Sequence, residues 1–199
     1  MSHLITTQQS AAVIQSALGP GAPDITRDKV SRLIATGVLH NFSSTKWAML
    51  DYGAVASLAQ GTRYAPRASF PYERAMRVSV GPLEDDPITL PSGQQWRLYK
   101  GIDHANSRNL SPQDVLNAWT GVWPVSAARA NSVIGCPLLA SNWGFVHPDF
   151  CRVITGWRPW PDPKSNTVLF DTRPDPKLAA VIGTGIWIDV PKGPIADLL

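Results

Sequence analysis

"DITRDKVSRLIATGVLHNF", residues 24–42, is the stretch from which the first third of the chain can be read. Val30, Leu33 and Ile34 stand at i, i+3 and i+4, the spacing of one buried helical face. Thr26 precedes them, and a threonine hydroxyl there accepts a first-turn N–H. Asp28 falls in the first turn, where the helix dipole favours an anion. Gly37 follows the periodic run as a C-terminal stop. With the apolar trio inward, the outward set is Arg27, Asp28, Ser31 and Arg32, with Lys29 beside them. Beyond the glycine, "VLHNF" and "KWAML" flank the polar turn "SSTK", residues 43–46, and read as two short strands.

The flanks extend this pattern. Thr6 or Thr7 can cap a first helix running to about Leu18, and "GPGAPD", residues 19–24, must be a loop. Asp51 can cap a third helix, "YGAVASLAQ". The order is helix, loop, helix, hairpin, helix, and a hairpin directly after the second helix is what a winged helix-turn-helix requires.

Composition sets the outer limits. A 199-residue chain with 44% hydrophobic and 17% charged residues has enough apolar material for a core. No apolar run approaches 18 residues, and "MSHLITTQQSAA" lacks the basic-then-apolar pattern of a signal peptide, so a cytoplasmic location without membrane contact is expected. Cys136 and Cys151 are too few for a disulfide scaffold and read as reduced thiols. The net charge of +3 is unevenly placed: residues 1–67 hold six Lys/Arg against three Asp, and the rest of the chain is balanced. That asymmetry suits one module facing a polyanion. Composition shifts near residue 61, and seven of eight Trp lie beyond residue 90. Three parts are expected: a helical module at 1–61, a linker at 62–70 rich in Gly, Pro and Arg, and a β-rich domain at 71–199.

The text "LITTQQSAAVI" (4–14), "ITRDKVSRLIATGVL" (25–39) and "WAMLDYGAVASLA" (47–59) resembles the winged helix-turn-helix of the MerR and excisionase class, over roughly 55 residues. The loop "GPGAPD" departs from that class, whose helix-to-helix turn is shorter. The resemblance implies a recognition helix at 26–36, a wing at 39–49, and double-stranded DNA as the partner. Arg27 and Arg32 suit bidentate pairing with guanine, while Lys29 and Ser31 more often touch phosphate. Thr26 and Asp28 complete the helix N-terminus, Lys46 stands at the wing tip, and Arg63 and Arg67 offer phosphate contacts from the linker.

The remaining chain reads as α+β or mainly β. Strands are expected at 74–80, 94–102, 143–157 (one or two), 167–173 and 185–190, and helices at 111–119 and 126–134. "EDD", residues 84–86, reads as an exposed acidic loop. The segment from Trp119 to Trp157 loosely resembles small PUA-like β-barrels, which bind RNA or modified bases. That resemblance implies a tryptophan platform for an unstacked base. The competing expectation is that Trp119, Trp123, Trp143, Trp157 and Trp187 form a core.

No Walker A loop, G-x-G-x-x-G, H-E-x-x-H or C-x-x-C is present. His104, near Asp103, Ser107 and Arg108, is not a triad, since triads assemble across a fold. The expectation is an α+β protein that is not an enzyme, with no metal and no cofactor: a sequence-specific DNA-binding repressor or regulator of bacterial, plasmid or phage type. The alternatives are an excisionase- or partition-like architectural protein, or a modified-base or RNA binder acting through the C-terminal domain. A homodimer interface or a second DNA contact are the roles open to that domain.

Overall fold

Short polar side chains set where the helices begin. Thr6 accepts from Gln9 N–H while Gln9 returns a bond to the Thr6 N–H, a reciprocal capping box. Thr26, Asp51, Ser111, Ser126 and Asp175 cap five further helices in the same sense. The computed structural model describes residues 3–66, 72, 74–105, 109–161, 167–189 and 195–198. Its elements run β1 (Leu4–Thr6), α1 (Thr7–Leu18), α2 (Arg27–Ala35), β2 (Met49–Asp51), α3 (Tyr52–Gly61), β3 (Arg63–Tyr64), β4 (Ala75–Ser79), β5 (Glu84–Thr89) and β6 (Gln95–Lys100). They continue with α4 (Pro112–Thr120), β7 (Val122–Trp123), α5 (Ala127–Ser132), β8 (Pro137–Ser141), β9 (Phe145–Val146), a 3-10 turn at Pro148–Phe150, β10 (Cys151–Pro159), β11 (Val168–Arg173), α6 (Pro176–Ile182), β12 (Ile186–Trp187) and β13 (Ile195–Leu198). The fold class is α+β, as the sequence pattern indicates.

A six-stranded sheet in the order β13-β4-β8-β10-β11-β7 carries the C-terminal part, antiparallel except between β4 and β8. All five residues of β8 are buried, as befits a strand covered on both faces. Met76, Val78, Leu138, Ile154, Trp119 and Phe150 form its principal core. The N-terminal core gathers Ile14, Val30, Leu33, Leu50 and Val55, and it is completed by Phe145 and Trp187 from far along the chain. Full burial of Leu33 alone stabilises by about 1.5–3 kcal/mol relative to exposure.

The long turn between α1 and α2 is folded down rather than loose. Gln15 Oε1 accepts the Ile25 N–H at 2.6 Å, and Ile25 is buried in the core beneath. At the other end of α2, Gly37 N–H reaches Ile34 O and Val38 N–H reaches Leu33 O, a Schellman ending with Gly37 at φ +71°.

Several expectations need correction. The wing is not a two-stranded hairpin: no strand forms at 38–42, and β2 pairs with β1, with Ile5 opposite Leu50. The cause is local competition. Asn41 Oδ1 accepts the N–H groups of both Ser43 and Met49, and the Ser43 and Thr45 hydroxyls take neighbouring backbone groups. A single backbone bond, Phe42 N–H to Met49 O, closes the loop. The acidic run 84–86 is not a loop but the start of β5, paired with β6. Within the expected linker, Arg63 and Tyr64 form β3, which runs parallel to β12. The alternative of two strands within 143–157 holds: the 3-10 turn separates β9 from β10, and Trp143 precedes both. Helix α6 was not expected, although Asp175 and Pro176 supply its cap and first residue.

Candidate nucleic-acid interface

Helix α2 advances 100° per residue, which sorts its side chains into four sides. Val30 and Leu33 are fully buried, and Asp28 and Ala35 form the outermost crest. Arg27 and Ser31 occupy one exposed flank. Lys29, Arg32 and Thr36 occupy the other, which faces the C-terminal part of the chain.

Each expected contact residue then has a definite setting. Thr26 spends its hydroxyl oxygen on the Lys29 N–H at 3.3 Å. Arg27 extends into solvent beside Asp28, Nε to Oδ1 3.8 Å, both largely exposed. Such an exposed pair is worth little and leaves both groups available. Ser31 Oγ donates to Arg27 O at 3.1 Å. Lys29 is half-buried, and burial lowers its pKa against the opposing pull of Asp24 and Asp189. Arg32 is exposed, with its guanidinium carbon 5.3 Å from the centre of the Trp143 ring. Lys46 lies over the exposed Trp47 ring at 5.7 Å on the loop that replaces the hairpin wing. Arg63 is drawn away: its Nη2 donates to Val181 O at the end of α6 at 2.8 Å. Arg67 lies outside the described residues, as do Ser107 and Arg108.

The α2 flank is joined to the C-terminal part by directed bonds. Asn142 Nδ2 donates to Arg32 O at 3.1 Å and to Thr36 Oγ1 at 2.7 Å. The His104 N–H donates to Thr36 O at 2.9 Å. Compared with protein-family models, curated proteins and solved structures, this chain matches none. The site is therefore argued from its own geometry.

His104 and His147 meet just behind this junction, ring centres 4.4 Å apart, with Phe150 edge-on to His104. Burial, reinforced by His147 and opposed by Asp103, pushes the His104 pKa down to about 3. His147 is also lowered, chiefly by burial and against Asp149, and its Nδ1 accepts the Asp149 N–H. Two neutral imidazoles therefore face each other at neutral pH. Among the described residues no cluster of three or more His, Cys, Asp or Glu could hold a metal ion. The same residues contain no helix long and apolar enough to cross a membrane. Neither Cys136 nor Cys151 is joined in a disulfide, and burial raises the Cys151 pKa to about 12.

The tryptophans divide. Trp119 and Trp187 are buried in the two cores, so neither is a platform for a base. Trp157 donates to Asn131, and Trp123 donates to Thr120 O while lining a cavity of about 330 Å³ with Arg97, Lys100 and Glu84. The cations of that cavity are already paired, Arg97 with Asp86 and Lys100 with Glu84. Trp143, expected in the core, is instead 46% exposed. Sequence reasoning missed it because its exposure follows from a long-range docking of its turn onto α2, which no local pattern announces.

Proposed function

We propose that this chain is a sequence-specific binder of double-stranded DNA, a repressor-type regulator and not an enzyme, reading the major groove with α2. The observation that carries the reading is the division of α2: a fully buried apolar side opposite an exposed side bearing Arg27, Asp28, Ser31 and Arg32. A helix held this way by its own core can present its N-terminal side chains to base edges. Arg27 is the leading base-reading residue, since it is exposed at the first helical position and, among the described residues, its ion pair is the loose contact with Asp28. Lys46 on the neighbouring loop adds a phosphate or minor-groove contact. Arg63, bound to the end of α6, is removed from the contact set.

The test is selection of bound sequences from random duplex DNA, followed by binding measurements on the selected site. Arg27→Ala is expected to weaken specific binding by roughly 1–3 kcal/mol and to relax preference at one or two base pairs. If wild-type protein shows no duplex affinity even at low salt, or Arg27→Ala binds every duplex as wild type does, the reading fails.

A further inference from the structure

We propose that Trp143 is a second contact to the same duplex, supplied by the C-terminal part of the chain and independent of base sequence. Its indole lies against a deoxyribose bordering the major groove, and Arg32 takes the adjoining phosphate. The inference rests on the DNA-binding reading above and adds a residue that the helix-turn-helix pattern does not contain.

The turn that carries Trp143 is built at a cost. Asn142 and Phe145 exchange both backbone hydrogen bonds, N–H to O at 2.8 and 3.0 Å, so Trp143 and Gly144 form a two-residue hairpin loop. Both loop residues have positive φ, +53° and +104°, the pattern normally filled by Asn-Gly. Trp143 is the one non-glycine residue with positive φ among those described. A bulky side chain in that region is strained, and such strain persists only where the surrounding structure holds it, most often at functional sites. Burial does not compensate here, because the ring is 46% exposed.

The placement of the turn is equally specific. The Asn142 side chain bonds both Arg32 O and Thr36 Oγ1, so the turn is fixed to α2 beside Arg32. The Arg32 guanidinium sits over the ring, 5.3 Å from its centre. An exposed apolar ring with a cation stacked against it matches the two groups a nucleic-acid backbone offers, sugar and phosphate. The charge of the neighbourhood agrees: Arg27, Arg32 and Lys46 are all exposed, and the excess positive charge of the chain lies in residues 1–67. A protein partner docking on the same ring is the competing occupant.

Salt dependence separates the contributions. Affinity for the selected duplex and for a random duplex is measured across a salt series for wild type, Trp143→Asn, Arg32→Ala and Arg27→Ala. Trp143→Asn removes the indole and installs the loop residue the turn prefers, so its thermal midpoint is expected to equal or exceed that of wild type. Its affinity is expected to fall about tenfold on both duplexes at every salt concentration, as lost apolar burial predicts, with an unchanged salt slope. Arg32→Ala is expected to lower the salt slope by about one phosphate contact. If Trp143→Asn proves unfolded, Trp143→Gly makes the same comparison. Undiminished binding by a folded Trp143 variant, alongside weakened binding by Arg27→Ala, overturns this proposal and leaves the DNA-binding reading standing. A wild-type protein without duplex affinity overturns both.

Discussion

Gly37 shows how one residue is held by two separate demands. Its φ of +71° belongs to the left-handed region, where a Cβ costs about 1–2 kcal/mol. Space is the second demand: a Cβ there would stand 2.7 Å from Asp103 Oδ1 and 2.8 Å from Ala105 N. Gly21 has a similar φ of +87° but nothing within 4 Å of the corresponding point. Gly37→Ala is therefore expected to destabilise by about 2–4 kcal/mol, and Gly21→Ala by about 1 kcal/mol. Parallel denaturant titrations check the pair, and equal losses would refute the crowding argument. The stop at Gly37 was legible in the sequence, because a helix ending is a local event. The pressure from Asp103 was not, because it arrives from 66 residues away. Trp143 teaches the same lesson: nothing in "ASNWGF" says that the turn will dock on α2 and leave its ring outside.

Among the elements, those fixed by local chemistry were legible and those fixed by partners were not. The boundaries of α1, α2 and α3 follow from Thr6, Thr26 and Asp51, each bonding within its own first turn. The wing failed as a hairpin because Asn41 gives the Met49 N–H a side-chain acceptor before a facing strand can. The true partner of β2 is β1, some 45 residues earlier, and three-residue strands carry too little pattern to reveal their pairing. Asn41→Ala is expected to loosen the 40–48 loop without unfolding α2. The loss of the two hydrogen bonds that Oδ1 accepts, worth about 1 kcal/mol each, predicts that the Met49 and Ser43 amides exchange with solvent about five to ten times faster. Exchange of the Leu33 amide is expected to be unchanged. If Met49 exchange is unaltered in the variant, Asn41 does not organise the loop.

On the scale of the whole molecule, the first three helices depend on the rest of the chain. Phe145 and Trp187 fill their core, β3 pairs with β12, and Tyr64 donates to Asp189 at 2.8 Å. The half-buried His104–His147 pair sits where these parts meet, with Asp103 and Asp149 as its nearby carboxylates, and burial together with repulsion between the two rings opposes protonation of His104. This makes the junction sensitive to acid, and the sign follows from linkage. The His104 pKa is about 3 in the folded chain and near 6.5 when unfolded, so between these values the unfolded state binds more protons. The neutral ring's contribution is complete above about pH 6.5 and is lost progressively as pH falls towards 3. His147, also lowered, acts in the same direction. His104→Phe keeps an aromatic ring against Phe150 but removes the titration, so its stability is expected to change much less between pH 6.5 and 4 than that of wild type. Urea unfolding at a series of pH values checks this. Parallel curves for the two proteins would mean that His104 titrates normally and that the junction is open to water.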